Sequence, residues 1–301
     1  MGALKMSGSS LPRGYYLFMR AHKENMFSWG WATLIGSLIA GRGFPSIIPT
    51  IIALFSVIAI ASCVYFYNDV IDLEMDKINP IKRNRPLPSG VISKETAMQI
   101  VYISGLLGVI LSMFLNPISF IFCLSYLFLF FIYSYPPIRL KKKFVIKEIT
   151  VAFGYILTTL IGGTAISGSF QSTFIFAGVL YFFFSFFGMP LFHDISDVKE
   201  DQIYGVKTMA LVLSWRRKVE MITFFLLAIM TLTPFTYVSL GFNIILPIVV
   251  VAGGLIALRF LIPITSTFDN ALFKKARIIL YIYYIRLQIT LILGTIPFIL
   301  P

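Results

Sequence analysis

Long apolar stretches recur along the whole chain, and they constrain its fold more than any other feature of the sequence. A helix needs roughly 20 residues to cross a hydrocarbon core of about 30 Å. With charged residues, Pro, Gly and Asn taken as boundaries, nine stretches of this kind are found, at residues 24–42, 45–72, 95–116, 118–135, 146–167, 172–197, 217–241, 242–264 and 276–300. The sequence therefore predicts an all-α integral membrane protein with nine transmembrane helices.

The composition leaves no part of the chain for a soluble domain. Hydrophobic residues make up 58% of the sequence, and the mean hydropathy is +0.87, both far above the usual values for soluble proteins. We therefore predict one transmembrane domain over residues 1–301, in which residues 1–14 form a flexible cytoplasmic tail.

The basic residues fall mainly in alternate loops. Of the 25 Lys and Arg, 22 lie in or near the N-terminal tail and the loops after spans 2, 4, 6 and 8; the exceptions are Arg42, Arg259 and Arg286. The positive-inside rule then places the N-terminus and these loops in the cytoplasm. Because the net charge of +12 is spread in this way and not gathered on one soluble face, we expect no nucleic-acid partner.

Eight of the 13 acidic residues are concentrated in two clusters, which close the second and sixth predicted spans. The clusters are Asp69, Asp72, Glu74 and Asp76, and then Asp194, Asp197, Glu200 and Asp201. Both span ends face the cytoplasm in the predicted topology, so the clusters can share one site. Four spans separate the two clusters, which is consistent with two four-helix halves plus one helix around a central apolar cavity.

The spacing within each cluster is helical. Asn68, Asp72 and Asp76 follow one another at four-residue steps, and each step advances about 40° around a helix, so the three side chains share one face. Asp197 and Asp201 repeat the step, and Asp194 lies three residues earlier on the same side. The sequence therefore predicts two carboxylate-bearing helix faces at the cytoplasmic surface.

Carboxylates at a helix C-terminus require a cation, because the helix dipole places partial negative charge there and close like charges disfavour ionisation. Oxygen ligands without His or Cys suit Mg²⁺, which is commonly held by one or two carboxylates together with substrate phosphate oxygens. We therefore predict that the two clusters hold a diphosphate between them through Mg²⁺. The alternative for either cluster alone is interfacial solvation, in which the acids only balance nearby Lys and Arg.

The two clusters resemble the motifs of the UbiA-type intramembrane prenyltransferases. The first motif is N-x-x-x-D-x-x-x-D, here Asn68, Asp72 and Asp76, followed by a loop that ends in RPLPSG at residues 85–90. The second is D-x-x-x-D, here Asp197 and Asp201. With nine spans, the resemblance covers nearly the whole chain. It also includes a Tyr-x-x-x-Lys pattern after the fourth span, where this chain has Tyr135 and Arg139; Arg keeps the charge and can bind phosphate through two donors.

The resemblance implies Mg²⁺-dependent transfer of a polyprenyl group from its diphosphate to a hydrophobic acceptor in the membrane, with release of diphosphate. Two Mg²⁺ ions are expected to bridge the diphosphate, with ligands from Asn68, Asp72, Asp76, Asp194, Asp197 and Asp201. The expected diphosphate-binding residues are Asn68, Arg85, Arg139, Lys141 and Lys207. The expected catalytic residues are Asp72, Asp76, Asp197, Asp201, Arg139 and Tyr135. The alternative for each basic residue is that it sets only the membrane topology and contacts lipid headgroups, not the diphosphate.

The sequence does not identify the substrates fully. The acceptor that the resemblance implies is a quinone-precursor ring, a tetrapyrrole or a prenylated glycerol phosphate, and the prenyl length is undetermined.

Two other functions are compatible with the sequence. A cation-coupled transporter is the rival function, since intramembrane carboxylates also form ion sites. A membrane scaffold without activity is a third reading, which the complete carboxylate set disfavours. No protein partner is implied.

Overall fold

The computed structural model describes residues 10–80, 82–192, 202, 207–266 and 269–297, and the regular secondary structure of these residues is entirely helical. The helices are α1 (Leu11–Ala21), α2 (Lys23–Ala40), α3 (Ile47–Ile78), α4 (Lys94–Ser112), α5 (Pro117–Ser134), α6 (Ile146–Ser167), α7 (Ser172–Phe192), α8 (Met209–Val212), α9 (Trp215–Thr236), α10 (Ile245–Ser266) and α11 (Asn270–Leu293). A 3₁₀ turn over Leu140–Lys142 precedes α6.

Each predicted span overlaps one of these helices, and the prediction for residues 146–167 coincides with α6. Seven helices of the described chain are long and apolar enough to cross a membrane, namely α3, α4, α5, α6, α9, α10 and α11. The remaining two predicted spans overlap α2 and α7, which do not meet this criterion of length and hydropathy. Helix α2 begins with three polar residues, and the apolar part of α7, Ser172–Gly188, is too short. The chain is thus an integral membrane protein of helical construction.

The first helix begins within the segment that the sequence assigns to the N-terminal tail. Residues 1–9 lie outside the described part, but residues 11–14, which were expected to be flexible, form the first turn of α1. Pro12 lies in that turn, where its missing N–H has no intrahelical partner to lose. The helix packs its buried Gly14 and Phe18 towards the bundle.

Helix α3 determines where the first acidic cluster lies. The helix has 32 residues and is therefore about 48 Å long, whereas a hydrocarbon core is about 30 Å thick. It runs to Ile78, six residues beyond the predicted span end at residue 72. Asn68, Asp72 and Asp76 thus belong to one continuous helix, near its C-terminal end.

Local sequence signals account for many helix ends. Side-chain caps accept a backbone N–H at the starts of α4, α5, α9 and α11, where the caps are Ser93, Asn116, Ser214 and Asp269. These are the residue types that satisfy the unpaired N–H groups of a first turn. Gly168 ends α6 in the left-handed conformation with φ of 68°, which glycine adopts without steric cost.

Helices α2 and α6 approach each other backbone to backbone. A Cβ atom added at Gly36 would lie 2.1 Å from the carbonyl oxygen of Thr159, and one added at Gly162 would lie 1.9 Å from that of Thr33. The Ser37 hydroxyl donates to the Gly162 carbonyl oxygen across the same contact, at 3.1 Å. Small residues therefore let the two backbones touch, as is common where helices associate in membranes.

Helix α6 is central to the arrangement, since it also packs against α3, α5 and α7. Helices α9, α10 and α11 follow as sequential neighbours, and α11 returns to α2 and α7. One buried apolar cluster joins α2, α3, α5 and α6, and a larger one occupies the C-terminal half. The first of these clusters borders the cavity described next.

Candidate functional site

A cavity of about 230 Å³ opens between α3, α5, the 3₁₀ turn and the start of α6. Its lining combines cationic, carboxylate and amide groups with aromatic and aliphatic side chains: Val64, Tyr65, Asn68, Asp72, Met75, Asp76, Lys82, Phe130, Tyr133, Ser134, Arg139, Lys141, Lys142, Lys147 and Val151. One ligand that combines an anionic head with an apolar tail would match this lining.

The polar side of the cavity is the predicted face of α3. Asn68, Asp72 and Asp76 all line it, which is the arrangement that the four-residue spacing predicts. Ser134, at the end of α5, donates a hydrogen bond from its hydroxyl to Asn68 Oδ1 at 2.9 Å. Lys141 Nζ donates to the same oxygen at 2.7 Å, so the amide of Asn68 is held with its oxygen towards the cations.

Asp72 is held between two cations. Arg139 Nη2 lies 2.8 Å from Asp72 Oδ1, and Lys141 Nζ pairs with Asp72 Oδ2. The loop after α5 therefore presents its basic side chains directly to a carboxylate of the first motif. Burial lowers the pKa of Lys141, and the neighbouring carboxylate of Asp72 opposes that shift.

Arg139 reaches Asp72 from an unfavourable backbone conformation. Its φ is 43° and its ψ is 60°, in the left-handed region that costs an ordinary residue roughly 1–2 kcal/mol. Such strain persists where the surrounding structure determines the conformation, and it concentrates at functional sites. Here the Tyr135 carbonyl oxygen accepts the Arg139 N–H at 2.7 Å, and the ion pair with Asp72 secures the side chain.

Several cavity residues were not among the residues singled out from the sequence: Tyr65, Lys82, Tyr133, Ser134 and Lys147. Lys82 Nζ lies 3.9 Å from Asp76 Oδ1, so the second carboxylate of the motif also has a cation nearby. The signal that could have found the lysines is the dense run of basic charge in the loops after α3 and α5. The spacing of these lysines along the chain does not show which side chains point into the cavity.

Arg85 does not line the cavity. Its Nη1 lies 3.6 Å from Asp69 Oδ1, and the other oxygen of Asp69 accepts a hydrogen bond from His22 Nε2 at 2.8 Å. Asp69 directly follows Asn68, so its side chain points about 100° away from that of Asn68 around α3. The structure places the buried Asp69 and the partly buried Arg85 in an ion pair outside the cavity lining.

Two further predicted residues also lie away from the cavity lining. Tyr135 follows the last residue of α5, has 38% of its surface exposed, and stacks on Phe131 at a centroid distance of 5.5 Å. Tyr65 and Tyr133 are the tyrosines that contact the cavity. Lys207 is exposed, and it is not among the lining residues.

The second carboxylate motif, with Asp194, Asp197 and Asp201, lies outside the described residues. The chain that follows it is anchored near the cavity, since the Met209 N–H donates to Glu148 Oε1 at 2.7 Å. Glu148 is in the first turn of α6, next to Lys147 of the cavity lining.

The described residues fit part of a magnesium site. They contain no group of three or more His, Cys, Asp or Glu side chains that could hold a metal ion. The first motif does supply two carboxylates and an amide oxygen to one cavity, and Mg²⁺ needs only one or two protein carboxylates when phosphate oxygens complete its coordination. The donor set therefore suits Mg²⁺ bound together with a phosphorylated ligand.

The profile of the UbiA prenyltransferase family matches residues 30–283 of this chain. Among curated proteins, the chain is 31% identical to the digeranylgeranylglyceryl phosphate synthase of Sulfurisphaera tokodaii over 95% of this chain and 99% of that protein. It is 35% identical to the enzyme of the same name from Sulfolobus acidocaldarius, over 78% of this chain and 82% of that protein.

Solved structures share the fold. A structure of digeranylgeranylglyceryl phosphate synthase superposes with a TM-score of 0.75 and 23% identity, covering 95% of this chain and 99% of the other. A UbiA homolog from Archaeoglobus fulgidus bound to GPP and Mg²⁺ superposes with a TM-score of 0.67 and 19% identity, over 93% of this chain and 99% of that one.

Proposed function

The chain belongs to the UbiA prenyltransferase family, and we propose that it transfers a geranylgeranyl group from geranylgeranyl diphosphate to geranylgeranylglyceryl phosphate. The products would be digeranylgeranylglyceryl phosphate and diphosphate. Prenyl transfer follows from the family. The choice of acceptor rests on the relatives that match over most of their length, which carry the name of an enzyme that makes this product.

The observation that carries the proposal is the cavity itself. Its rim brings Asp72 and Asp76 together with Arg139 and Lys141, and its wall continues into aromatic and aliphatic side chains such as Phe130. A prenyl diphosphate has the matching division between an anionic head and an apolar tail. The rim and the wall are therefore proposed to bind the two ends of the donor substrate.

We further propose that Mg²⁺ is held by Asn68, Asp72 and Asp76 of the first motif and by Asp194, Asp197 and Asp201 of the second. When bound, the metal supplies positive charge to the oxygens of the leaving diphosphate. The UbiA homolog bound to GPP and Mg²⁺ supports this cofactor. Arg139 and Lys141, which pair with Asp72, are placed to turn their donors to the diphosphate when the carboxylate serves a metal ion.

The reaction forms one C–O bond and breaks another. A hydroxyl oxygen of the acceptor attacks C1 of the geranylgeranyl group, the bond from C1 to the diphosphate oxygen breaks, and the hydroxyl proton is released. Negative charge grows on the diphosphate as this bond breaks, so donors already oriented towards it stabilise the transition state more than the ground state. The apolar wall excludes water, which would otherwise compete with the acceptor.

The topology proposed for this activity has nine crossings in two four-helix halves plus one helix, with the N-terminus and the basic loops in the cytoplasm. Support comes from the positive-inside pattern of the sequence and from the overlap of every predicted span with a helix. Both substrates carry phosphate groups, and this orientation gives them a basic entrance at the cytoplasmic surface.

The acceptor is tested with purified protein, Mg²⁺ and geranylgeranyl diphosphate. A panel of geranylgeranylglyceryl phosphate, an aromatic quinone precursor and a tetrapyrrole is offered, and products are identified by mass spectrometry. We expect a mass gain of one geranylgeranyl group only with the glycerol phosphate lipid. Preferred prenylation of an aromatic ring or a tetrapyrrole would refute the acceptor assignment and leave the family assignment intact.

The rival transporter function predicts a different result. Family membership supports the enzyme, and the first acidic motif lies near the end of α3, not in a broken helix at mid-membrane. Protein reconstituted in liposomes with the prenyl donor and geranylgeranylglyceryl phosphate should release diphosphate and should not transport cations. Robust cation flux without turnover would favour the transporter.

Lys141 provides a test of diphosphate binding. We expect Lys141→Met to raise the KM for geranylgeranyl diphosphate at least about tenfold, because a charge-assisted hydrogen bond to phosphate is lost. The matched control is Lys143→Met, since Lys143 is exposed and does not line the cavity. Equal KM values for the two variants would contradict the role of Lys141.

A further inference from the structure

We propose that Asp69 is a positioning residue that, together with His22, holds the guanidinium group of Arg85 beside the cavity for the diphosphate of the prenyl donor. Asp69 belongs to the first acidic cluster, but in this proposal it does not bind a metal ion. The inference rests on the proposed function, since the ligand of Arg85 is the diphosphate of that reaction.

The geometry of the pair shows what each oxygen of Asp69 does. Oδ2 accepts the hydrogen bond from His22 Nε2 at 2.8 Å, while Oδ1 is buried without a hydrogen-bond partner among the described residues and faces Arg85 Nη1 at 3.6 Å. Asp69 is 4% exposed. A buried carboxylate of this kind requires a nearby cation, because an uncompensated buried charge is strongly destabilising.

His22 is fixed in its role as hydrogen-bond donor. It lies at the junction of α1 and α2, is 4% exposed, and its ring packs against Phe18 and Tyr65 at centroid distances of 4.5 and 5.4 Å. Because an ionised carboxylate only accepts hydrogen bonds, Nε2 must carry the proton. The aromatic contacts thus set the direction in which His22 holds Asp69.

Arg85 is held by its backbone as well as by Asp69. In the loop between α3 and α4, its N–H donates to the Lys82 carbonyl oxygen at 2.8 Å and its carbonyl oxygen accepts the Ser89 N–H at 3.0 Å. Leu87 and Ile92 anchor the loop, with 5% and 1% exposure. The loop therefore fixes the backbone position of Arg85, and the carboxylate of Asp69 determines where its side chain points.

Arg85 lies near Asp76, which is a proposed metal ligand. Asp69 and Asp76 are seven residues apart on α3, so they differ by only about 20° around the helix. Arg85 pairs with Asp69 and also acts electrostatically on Asp76. An ion pair through one Nη atom leaves the other N–H groups of a guanidinium able to donate, and a diphosphate bound at Asp76 would come within their reach.

The test measures binding of geranylgeranyl diphosphate to purified protein in Mg²⁺ by titration calorimetry, alongside steady-state kinetics. We expect Asp69→Asn to weaken binding about tenfold, to lower kcat/KM at least as much, and to leave the Mg²⁺ concentration for half-maximal binding unchanged. His22→Ala should weaken binding in the same direction. His22→Gln, whose amide can still donate to Asp69, should restore most of it.

A double-mutant cycle separates positioning from general damage to the fold. Arg85→Gln should weaken binding as much as Asp69→Asn does, and the combined variant should be no weaker than either, because both remove the same contact. Additive losses would overturn the proposal and indicate a structural role. If Asp69→Asn does not yield monodisperse protein, Arg85→Gln combined with His22→Ala provides the same comparison.

Two other results would also overturn it: wild-type affinity in Asp69→Asn, or a raised Mg²⁺ requirement, which would make Asp69 a metal ligand. The readout is independent of the acceptor. If geranylgeranylglyceryl phosphate is not prenylated but the binding losses are observed, the acceptor assignment fails and the role of Asp69 stands.

Discussion

Asp72→Asn is expected to lower kcat for prenyl transfer by about a thousandfold or more, a loss of the size seen when a group that stabilises transition-state charge is removed. The asparagine keeps the volume and one oxygen of Asp72 but removes the negative charge. Two effects combine, since the proposed metal ion loses a ligand and Arg139 and Lys141 lose the carboxylate that orients them. Turnover is measured by diphosphate release and product mass.

The matched control is Glu74→Gln on the same helix. Glu74 is exposed and pairs with Lys77 at 2.8 Å on the outside of α3, so its charge lies outside the cavity. We expect this variant to retain wild-type turnover. Elution as a single species and an unchanged Tm would show that both proteins are folded. Wild-type activity in folded Asp72→Asn would refute the site assignment.

Gly36→Ala is expected to destabilise the protein by about 3 kcal/mol, at the upper end of the usual range for overpacking. The added Cβ would lie 2.1 Å from the Thr159 carbonyl oxygen and 3.0 Å from the Gly163 nitrogen. Both neighbours are backbone atoms of α6, so no rotamer change can relieve the contact and the two helices must separate. The change is measured as the shift of thermal unfolding in detergent.

Gly30→Ala is the control in the same helix. Its added Cβ would lie 3.5 Å from Ile58 Cδ1, an ordinary van der Waals distance. Alanine is also favoured over glycine inside a helix by about 1 kcal/mol. We expect stability equal to or above that of the wild type. Equal unfolding temperatures for the two variants would show that α2 and α6 do not require close backbone contact.

A helix could be predicted from the sequence where the length of an apolar stretch determines its bounds. Residues 146–167 were predicted without error because polar and glycine signals mark both ends of α6. The end of α3 was placed six residues early, since hydropathy reports where the membrane ends and not where helical hydrogen bonds end. Residues 11–14 were assigned to the tail, and α1, which begins at Leu11, was not predicted.

The candidate site was predictable where it lies on a helix. Asn68, Asp72 and Asp76 line one cavity because helical spacing alone determines their common direction. Arg139 and Lys141 contact Asp72, whereas Tyr135 turns outward and Arg85 pairs with Asp69 outside the cavity lining. Loop side chains follow local backbone angles, such as the left-handed φ of Arg139, and no periodicity encodes those angles.

The sequence by itself determined the membrane class, the helical order and the chemistry of the acidic motif, because these depend on composition and on spacing along the chain. The tertiary structure decided which cations meet Asp72, which carboxylate holds Arg85, and how closely α2 approaches α6. Each of these depends on contacts between residues far apart in sequence, among them His22 with Asp69 and Arg139 with Asp72. Their distances are established only when the helices pack.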